Sequence, residues 1–214
     1  MALYLDGVLQ LSSADERRYH AALVRPLIAA VGPDPRVLII GGGDGCAARD
    51  VLACAPRATV TVIDHEPLVL ELATTHPALT AINEGALSDP RVSVVCADAE
   101  SAIARLPTAG FDAVYLDLTD PDHPGFDASR FAQLVNRAAA LVSVRGGLAM
   151  HAGSPFLHGS WSQVVTAFAI ALATRQRVAY LVEVPSFGSW SFLAAAQERP
   201  SLDGIGHPVL RLQC

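Results

Sequence analysis

The chain has 214 residues, 51% of them hydrophobic, and this length favours a single domain with one core. Its formal net charge of −6 excludes the basic surface expected of a protein that binds nucleic acid or an anionic membrane. All fifteen basic residues are arginine, and the absence of a lysine amine excludes a Schiff-base or pyridoxal mechanism.

Cysteine usage and hydropathy predict the cellular location. The four cysteines form no CxxC pair and no metal-ligand spacing, which favours a reduced, metal-free protein with Cys54 and Cys96 in its core. There is no basic leader followed by an apolar segment, and no apolar run approaches the roughly 18 residues of a membrane-spanning helix. We therefore expect a cytoplasmic protein with no membrane contact by this chain.

The N-terminal residues predict a hairpin and a helix. Apolar residues flank the turn pair Asp6-Gly7 within residues 3–11. Ser12 to Glu16 predicts a helix start, and apolar residues recur at helical spacing until Gly32-Pro33 ends the helix. We expect residues 1–32 to form this hairpin and helix, and residues 33–214 to form the rest of a single domain.

From residue 36 the chain alternates between apolar strands and helices. The strands are predicted at 36–41, 58–64, 91–97, 111–117 and 146–152, and the helices at 45–54, 67–75, 99–106, 127–142 and 159–175. Such alternation predicts an α/β fold, with a mostly parallel sheet covered by helices on both faces. Two further apolar runs, 177–184 and 190–196, predict an antiparallel hairpin that completes a seven-stranded sheet. The tail from Gln197 is expected to be extended or loosely ordered.

The turn after the first of these strands predicts a nucleoside site. Residues Gly41 to Gly45 carry no side chain except that of Asp44, and glycine allows positive φ and close approach of a ligand to the backbone. Asp64 ends the next strand about twenty residues on, where a nucleotide-binding fold places the carboxylate that binds the ribose hydroxyls. Because Asp44 would repel a pyrophosphate, an adenosyl sulfonium fits this turn better than NAD or FAD.

Other acidic residues also follow predicted strands, at the edge where a doubly wound sheet binds ligands. Asp98 suits an adenine amino group, and equally an N-cap for helix 99–106. Asp117 and Asp120 lie in a Pro-containing loop, where two carboxylates can converge on a cation and one can accept a proton from an ammonium nucleophile. The alternative interpretation of this loop is a Pro turn with Asx caps.

Seven short motifs occur in the order of the spermidine synthase family, which the chain resembles over nearly its whole length. They are Leu5-Asp-Gly-Val-Leu-Gln10, Asp15-Glu16 with Tyr19-His20, Gly41 to Gly45, Val62-Ile-Asp64-His-Glu66, Asp89-Pro-Arg-Val92 with Ala97-Asp98-Ala99, Asp117-Leu-Thr-Asp-Pro121, and Val184-Pro-Ser-Phe187. The resemblance implies that residues 33–214 form a catalytic unit with the Rossmann-like fold of class I methyltransferases, that residues 1–32 are a hairpin remnant and helix before it, and that the protein is a homodimer. It also implies transfer of the aminopropyl group of decarboxylated S-adenosylmethionine to a small cationic amine such as putrescine, with methylthioadenosine as product and no metal.

The resemblance further implies roles for individual residues. Asp117 would accept the proton and orient the attacking amine, helped by Tyr19. Asp44 would hold the aminopropyl ammonium, and its charge would select the decarboxylated cofactor over ordinary S-adenosylmethionine. The cofactor would contact Gly41, Gly43, Asp44, Gly45, Asp64, Glu66, Asp98 and Ala99, and the amine would contact Gln10, His20, Asp120 and Phe187. His151 is a further candidate for the pocket wall.

The chain departs from the family pattern in several places. Ala21 replaces the usual glutamate after Tyr-His, Cys46 replaces a sixth glycine, and Phe187 stands where tyrosine is common. Residues 151–156 carry no acid for a distal amine. An acceptor other than putrescine, or a loss of transfer, therefore stays open. Because the chain begins where the family's N-terminal β domain would end, we also expect a shortened or excised catalytic domain.

Two other functions stay open at this point. An S-adenosylmethionine-dependent methyltransferase on the same fold would share the glycine turn and Asp64, although Asp44 and the Asp117/Asp120 pair disfavour it. The second alternative is a non-catalytic relative that binds a nucleoside, which would explain why the usual glutamate is replaced by Ala21. Binding of methylthioadenosine without turnover would identify that relative.

Overall fold

The computed structural model describes residues 1–118, 126–157 and 159–212. The strands are β1 (Ala2–Leu5), β2 (Val8–Ser12), β3 (Arg36–Gly41), β4 (Thr59–Asp64), β5 (Val92–Cys96), β6 (Phe111–Asp117), β7 (Val142–Gly153), β8 (Gln176–Val184), β9 (Gly188–Ala196) and β10 (Val209–Leu212). The helices are α1 (Glu16–Ile28), α2 (Cys46–Cys54), α3 (Pro67–Thr75), α4 (Pro77–Asn83), α5 (Ala99–Ile103), α6 (Ala128–Leu141) and α7 (Trp161–Ala171). Within the described ranges, none of these helices has the length and apolarity needed to cross a membrane.

One large sheet contains eight strands in the order β10-β8-β9-β7-β6-β3-β4-β5. Strands β3 to β7 run parallel to one another, and β8, β9 and β10 are antiparallel to their neighbours. The predicted α/β class and mostly parallel sheet are confirmed. The expected count of seven strands was wrong by one, because the C-terminal tail includes β10, which satisfies the backbone groups along the outer edge of β8.

The sheet is covered by helices on both faces, as predicted. Val37 and Ile39 of β3 pack in a core with α1 to α4, whereas Leu38 and Ile40 pack in a second core with α5 to α7. Successive side chains of a strand point to opposite faces, so a strand buried on both faces is a continuous apolar run. This is why the apolar runs of the sequence predicted the central strands well.

Strands β1 and β2 form a separate two-stranded hairpin. Its turn is Asp6-Gly7, where both residues have positive φ, 49° and 80°. The predicted turn pair is therefore confirmed. Glycine adopts this conformation without steric cost, and aspartate tolerates it better than most residues.

Helix α1 is held against the sheet by buried tyrosines. Pro26 lies inside α1 and has no N–H, so the carbonyl of Ala22 loses its helical partner. The hydroxyl of Tyr180, from β8, donates a 2.7 Å hydrogen bond to that carbonyl. Tyr115 of β6 donates in the same way to the carbonyl of Val24, at 3.1 Å. These bonds fix the helix that carries Tyr19.

Two local expectations were wrong. Cys54 and Cys96 are exposed rather than in the core, because Cys54 is the last residue of α2 and Cys96 ends β5, the edge strand of the sheet. Helix α4 was not predicted; its first residue, Pro77, is of a type that usually ends a helix. It occupies instead the first turn of a new helix, where its missing N–H costs nothing.

Candidate active site

A cavity of about 130 Å³ opens at the carboxyl ends of β3, β4 and β6. This is the edge at which doubly wound sheets bind ligands. The wall is built from the β1–β2 hairpin, α1, the loops after these three strands, and the β8–β9 hairpin. Its residues are Leu3, Leu5, Leu9, Gln10, Tyr19, His20, Gly41, Gly42, Gly43, Asp44, Asp64, His65, Glu66, Val69, Asp117, Leu118, Phe187 and Trp190.

The glycine turn is packed between the ends of β4 and β6. A Cβ atom on Gly41 would lie 1.9 Å from the carbonyl oxygen of Asp117, and one on Gly43 would lie 2.6 Å from Oδ2 of Asp64. The N–H of Gly42 donates to the Asp117 carbonyl at 3.1 Å, and that of Gly43 donates to Oδ2 of Asp64 at 2.8 Å. Glycine is therefore required here, because the backbone itself holds the two strand ends.

Asp64 is fixed by two backbone groups. Besides the bond from Gly43, its Oδ1 accepts a 2.9 Å hydrogen bond from the N–H of Glu66. A carboxylate oxygen has a second lone pair, so Asp64 can still accept bonds from ligand hydroxyls in the cavity. Glu66 lies beside it on the wall with a half-exposed side chain.

Asp44 lies at the start of α2. Its Oδ1 accepts a 2.7 Å hydrogen bond from the N–H of Cys46. The unpaired amides and the dipole of a helix N-terminus stabilise a negative charge at this position. The fully buried Asn83 holds the turn by donating 2.8 Å bonds to the carbonyls of Asp44 and Ala73. The sequence analysis did not identify Asn83, which no motif marks.

Asp117 lies deep in the cavity, with a side chain that is 9% exposed. Its Oδ1 accepts a 3.0 Å hydrogen bond from the Tyr19 hydroxyl, and its Oδ2 lies 3.9 Å from Nε2 of His20. Burial raises the pKa of the Asp117 carboxyl; the charge of His20 opposes this effect and that of Asp44 adds to it. Tyr19 and Asp117, the two predicted catalytic residues, therefore meet at the cavity.

A buried ion-pair network lies next to Asp117. Arg49 donates hydrogen bonds of 3.0 and 2.9 Å to the two carboxylate oxygens of Glu16, and Nδ1 of His20 lies 3.2 Å from Oε2 of the same carboxylate. Burial would raise the pKa of Glu16, but the bonds from His20 and Arg49 lower it to about 2. Burial would lower the pKa of His20, but the bond to Glu16 and the charges of Asp44 and Asp117 raise it to about 9.

Arg49 was not identified from the sequence. The only signal for it was a charged pair, Arg49-Asp50, inside the otherwise apolar helix α2. The helix buries both residues, and a buried charge requires a partner. The partner Glu16 lies 33 residues earlier in the chain, so sequence spacing did not indicate the pair.

Glu16, His20 and Cys46 bring one potential ligand atom each within 4.8 Å of one another. This group does not suit a metal ion. Both Glu16 oxygens accept bonds from Arg49, and Nδ1 of His20 faces the carbonyl oxygen of Glu16 at 2.8 Å. Burial, followed by the charge of Asp44, raises the pKa of the Cys46 thiol, whereas a metal binds the thiolate. The metal-free site expected from the sequence stays a prediction.

Aromatic side chains form one side of the site. The ring of Tyr19 lies 6.1 Å from that of Phe187, and Phe187 lies 5.2 Å from Trp190. Trp190 is buried and also lines the cavity. His151 was a candidate for the wall, but it stacks on Trp190 at 6.0 Å and is not among the described lining residues. Its Nε2 lies 2.7 Å from the Leu118 carbonyl oxygen.

Several predicted ligand residues lie away from the cavity wall. Gly45 is the N-cap of α2, with φ of 83°. Asp98 is the N-cap of α5 and accepts a 2.9 Å hydrogen bond from the N–H of Ser101. Of the two roles that the sequence allowed for Asp98, this contact corresponds to the N-cap. Asp98 and Ala99 follow β5, which pairs with β4, and their contact with adenine stays a prediction. Asp120 lies outside the described residues.

Known proteins resemble the chain over nearly all of its length. A family model described as "Spermine/spermidine synthase domain" matches residues 16–203. The chain is 38% identical over 209 residues to a polyamine aminopropyltransferase of Oceanobacillus iheyensis, covering 97% of this chain and 40% of that protein. It is also 38% identical over 212 residues to polyamine aminopropyltransferase 1 of Streptomyces coelicolor, covering 98% of this chain and 38% of that protein. The chain thus spans about two fifths of the length of these curated relatives.

Solved structures share the fold. A spermidine synthase in complex with the transition state analogue AdoDATO matches with a TM-score of 0.82 and 24% identity, covering 95% of this chain and 68% of that one. The spermidine synthase from Thermotoga maritima matches with a TM-score of 0.79 and 23% identity, covering 95% and 67%. The expected Rossmann-like fold is confirmed by this likeness.

Proposed function

The chain belongs to the spermine/spermidine synthase family, and on that premise we propose that it transfers an aminopropyl group from decarboxylated S-adenosylmethionine to a small cationic amine. The observation that carries the proposal is the convergence of three separately anchored carboxylates, Asp44, Asp64 and Asp117, on one cavity. Each carboxylate suits one part of the reaction. The donor needs a site for its ribose and one for its ammonium, and the acceptor needs a group that takes a proton.

Asp64 binds the ribose hydroxyls in this proposal. Its two bonds to backbone N–H groups hold the carboxylate in one orientation, and the glycine turn beside it presents no side chain to the nucleoside. Gly41, Gly43 and Glu66 line the same part of the cavity. The adenine is expected next to the carboxyl end of β5, where Asp98 and Ala99 follow.

Asp44 binds the ammonium of the aminopropyl group. The carboxylate attracts the amine of the decarboxylated donor and repels the carboxylate of ordinary S-adenosylmethionine, so one residue both favours one donor and disfavours the other. This charge also argues against the methyltransferase alternative, which uses the ordinary form.

The transfer itself is a direct displacement. The amine nitrogen attacks the aminopropyl carbon attached to sulfur, the C–S bond breaks, and sulfur keeps the electron pair as the thioether of methylthioadenosine. The surplus proton of the amine passes to Asp117, whose orientation Tyr19 fixes. A sulfonium is already a good leaving group, so alignment of nitrogen, carbon and sulfur is the main task of the site.

The acceptor amine lies between Asp117 and the hairpin side of the cavity. Gln10 and Phe187 line this side together with Leu3, Leu5 and Leu9, so the chain of the amine contacts a largely apolar wall. Asp120, which is predicted to contact the amine, lies outside the described residues. The homodimer and the cytoplasmic location remain proposals that rest on the family.

Product analysis tests this function. Decarboxylated S-adenosylmethionine is incubated with the protein and a panel of di- and polyamines, and mass spectrometry searches for methylthioadenosine with an aminopropylated amine. The matched control is Asp117→Asn, which should bind the donor but transfer its aminopropyl group far more slowly. Methylation of an amine by ordinary S-adenosylmethionine, or binding without any product, would contradict the proposal and favour one of the two alternatives.

A further inference from the structure

We propose that His20 is a positioning residue that holds the Asp117 carboxylate ionised and oriented, rather than a ligand of the amine. The inference rests on the proposed function, in which Asp117 accepts a proton from the amine. It deepens that function by assigning a role to the buried network next to the cavity.

The contacts of the His20 ring favour a cation. Nδ1 lies 2.8 Å from the carbonyl oxygen of Glu16 and 3.2 Å from its Oε2, and because both atoms are acceptors, Nδ1 carries a proton. Nε2 lies 3.9 Å from Oδ2 of Asp117. A lone pair on Nε2 would face a negative carboxylate, so protonation of this nitrogen is favoured as well. The ring is then an imidazolium between two carboxylates.

The rest of the network keeps this cation in place. Arg49, Glu16, His20 and Asp117 follow one another with alternating charge, and their side chains are at most 9% exposed. Arg49 binds both oxygens of Glu16 and so holds that carboxylate charged. The pKa of His20, raised to about 9, agrees with a ring that stays protonated at neutral pH.

The charged groups around His20 come from three elements. Glu16 lies one turn earlier on α1, Asp117 ends β6, and Asp44 and Cys46 belong to the turn into α2. The ring thus faces three carboxylates and a protonated thiol. An imidazolium with both nitrogens directed at carboxylates repels a cationic amine instead of binding it.

The consequence concerns the proton acceptor. Burial and the charge of Asp44 both raise the pKa of Asp117 and so disfavour the ionised form that accepts a proton, whereas His20, His151 and the Tyr19 hydrogen bond lower that pKa. The fixed charge of His20 opposes this change at 3.9 Å. Without it, a larger fraction of Asp117 would be protonated near neutral pH.

The first test measures Asp117 directly. The side-chain carboxyl ¹³C resonance of Asp117 is titrated by NMR in the wild type and in His20→Gln. An opposite charge within about 4–6 Å lowers a carboxyl pKa by about 1–3 units, so Asp117 should titrate about 1–3 pH units higher in the variant. His76→Gln removes an exposed imidazole after α3 and should leave the titration unchanged. An unshifted Asp117 titration in His20→Gln overturns the inference.

A second measurement needs no variant. The ¹⁵N resonances of His20 in the wild type should show both ring nitrogens protonated at neutral pH. A neutral ring would overturn the inference even if His20→Gln failed to fold.

Kinetics then separate positioning from amine binding. In the pH profile of kcat/KM, the acidic limb should move to higher pH in His20→Gln by the same amount as the Asp117 titration. The KM for the amine, measured where kcat/KM no longer depends on pH, should not change. A raised KM with an unmoved acidic limb would assign His20 to the amine and overturn the inference. If the wild type transfers to no amine, the proposed function fails, whereas the NMR titrations still decide whether His20 controls Asp117.

Discussion

The hydroxyl of Tyr19 and the carboxylate of Asp117 are joined by a 3.0 Å hydrogen bond across 98 residues of sequence. Tyr19 comes from α1 and Asp117 from the end of β6, so the bond joins the N-terminal helix to the central sheet. Tyr115 and Tyr180 hold the same helix by donating hydrogen bonds to the carbonyls of Val24 and Ala22. The packing of one helix therefore sets the position of the proposed proton acceptor.

Asp117→Asn is expected to lower the rate of aminopropyl transfer by about 10²–10⁴-fold, the range contributed by a positioned general base. Binding of methylthioadenosine should persist, because Asp64 and the glycine turn are untouched. Steady-state kinetics and calorimetry measure the two quantities. Tyr19→Phe keeps the carboxylate and should lower the rate less. An undiminished rate in Asp117→Asn would remove Asp117 from the mechanism.

Asp64→Ala is expected to weaken methylthioadenosine binding by at least about tenfold, since a lost charged hydrogen bond costs about 1.5–3 kcal/mol. Calorimetric titration measures the affinity. Asp127→Ala is the matched control, because Asp127 also accepts two backbone N–H bonds, from Ser129 and Arg130, at the start of α6. The control should lose stability but not affinity. Equal affinity losses in both variants would speak against a ribose site at Asp64.

Asp44→Asn is expected to narrow the preference for the decarboxylated donor over ordinary S-adenosylmethionine. The amide neither attracts the donor ammonium nor repels a carboxylate, so both affinities should move toward each other. Parallel calorimetric titrations of the two compounds give the ratio. Asp203→Asn makes the same charge change outside this cavity and should preserve the ratio. A ratio unaltered in Asp44→Asn would reject the electrostatic selection.

Arg49→Met is expected to lower the free energy of unfolding by about 3–5 kcal/mol, because it leaves the buried Glu16 carboxylate without its bidentate partner. Arg57→Met is the comparison, since Arg57 pairs with Asp34 at the exposed surface. That loss should be much smaller, because water and salt screen an exposed ion pair. Urea denaturation of both variants measures the difference. Similar losses of unfolding free energy in the two variants would mean that the ion pair of Arg49 stabilises the fold no more than a surface ion pair does.

The stability of the wild type should depend on pH through His20 and Glu16. The pKa of His20 rises from 6.5 to about 9 on folding, so its contribution is complete below pH 6.5 and is lost as the pH rises through about 9. The pKa of Glu16 falls from 4.5 to about 2, so its contribution is complete above pH 4.5 and is lost as the pH falls through about 2. Urea denaturation across this pH range should show that the free energy of unfolding of the wild type falls above pH 6.5. The fall should be shallower in His20→Gln. An equally steep fall in the variant would assign the loss to other groups.

The sequence predicted those parts of the site that follow from strand order. Asp64 and Asp117 end apolar strands, and the carboxyl ends of parallel strands meet at one edge, so their convergence was expected. The glycine turn was predicted for the same reason. The structure adds that Gly41 and Gly43 are required by contacts with the ends of β6 and β4.

The contacts of the helices were not accessible from the sequence. The pairing of Glu16 with Arg49 depends on how α1 crosses α2, and periodicity gives the buried face of a helix but not its partner. Asn83 likewise lies in α4, which was not predicted. Strand β10 is only four residues long, and its pairing with β8 depends on the open edge that the hairpin leaves.

The most direct measurement of the central claim is the stoichiometry of the products formed by the wild type from decarboxylated S-adenosylmethionine and an amine. Quantitative mass spectrometry should find methylthioadenosine and an aminopropylated amine in equal amounts, and Asp117→Asn should form both products about 10²–10⁴-fold more slowly. Methylthioadenosine without an aminopropylated amine, or donor bound without either product, would contradict the account of this cavity as a site of aminopropyl transfer.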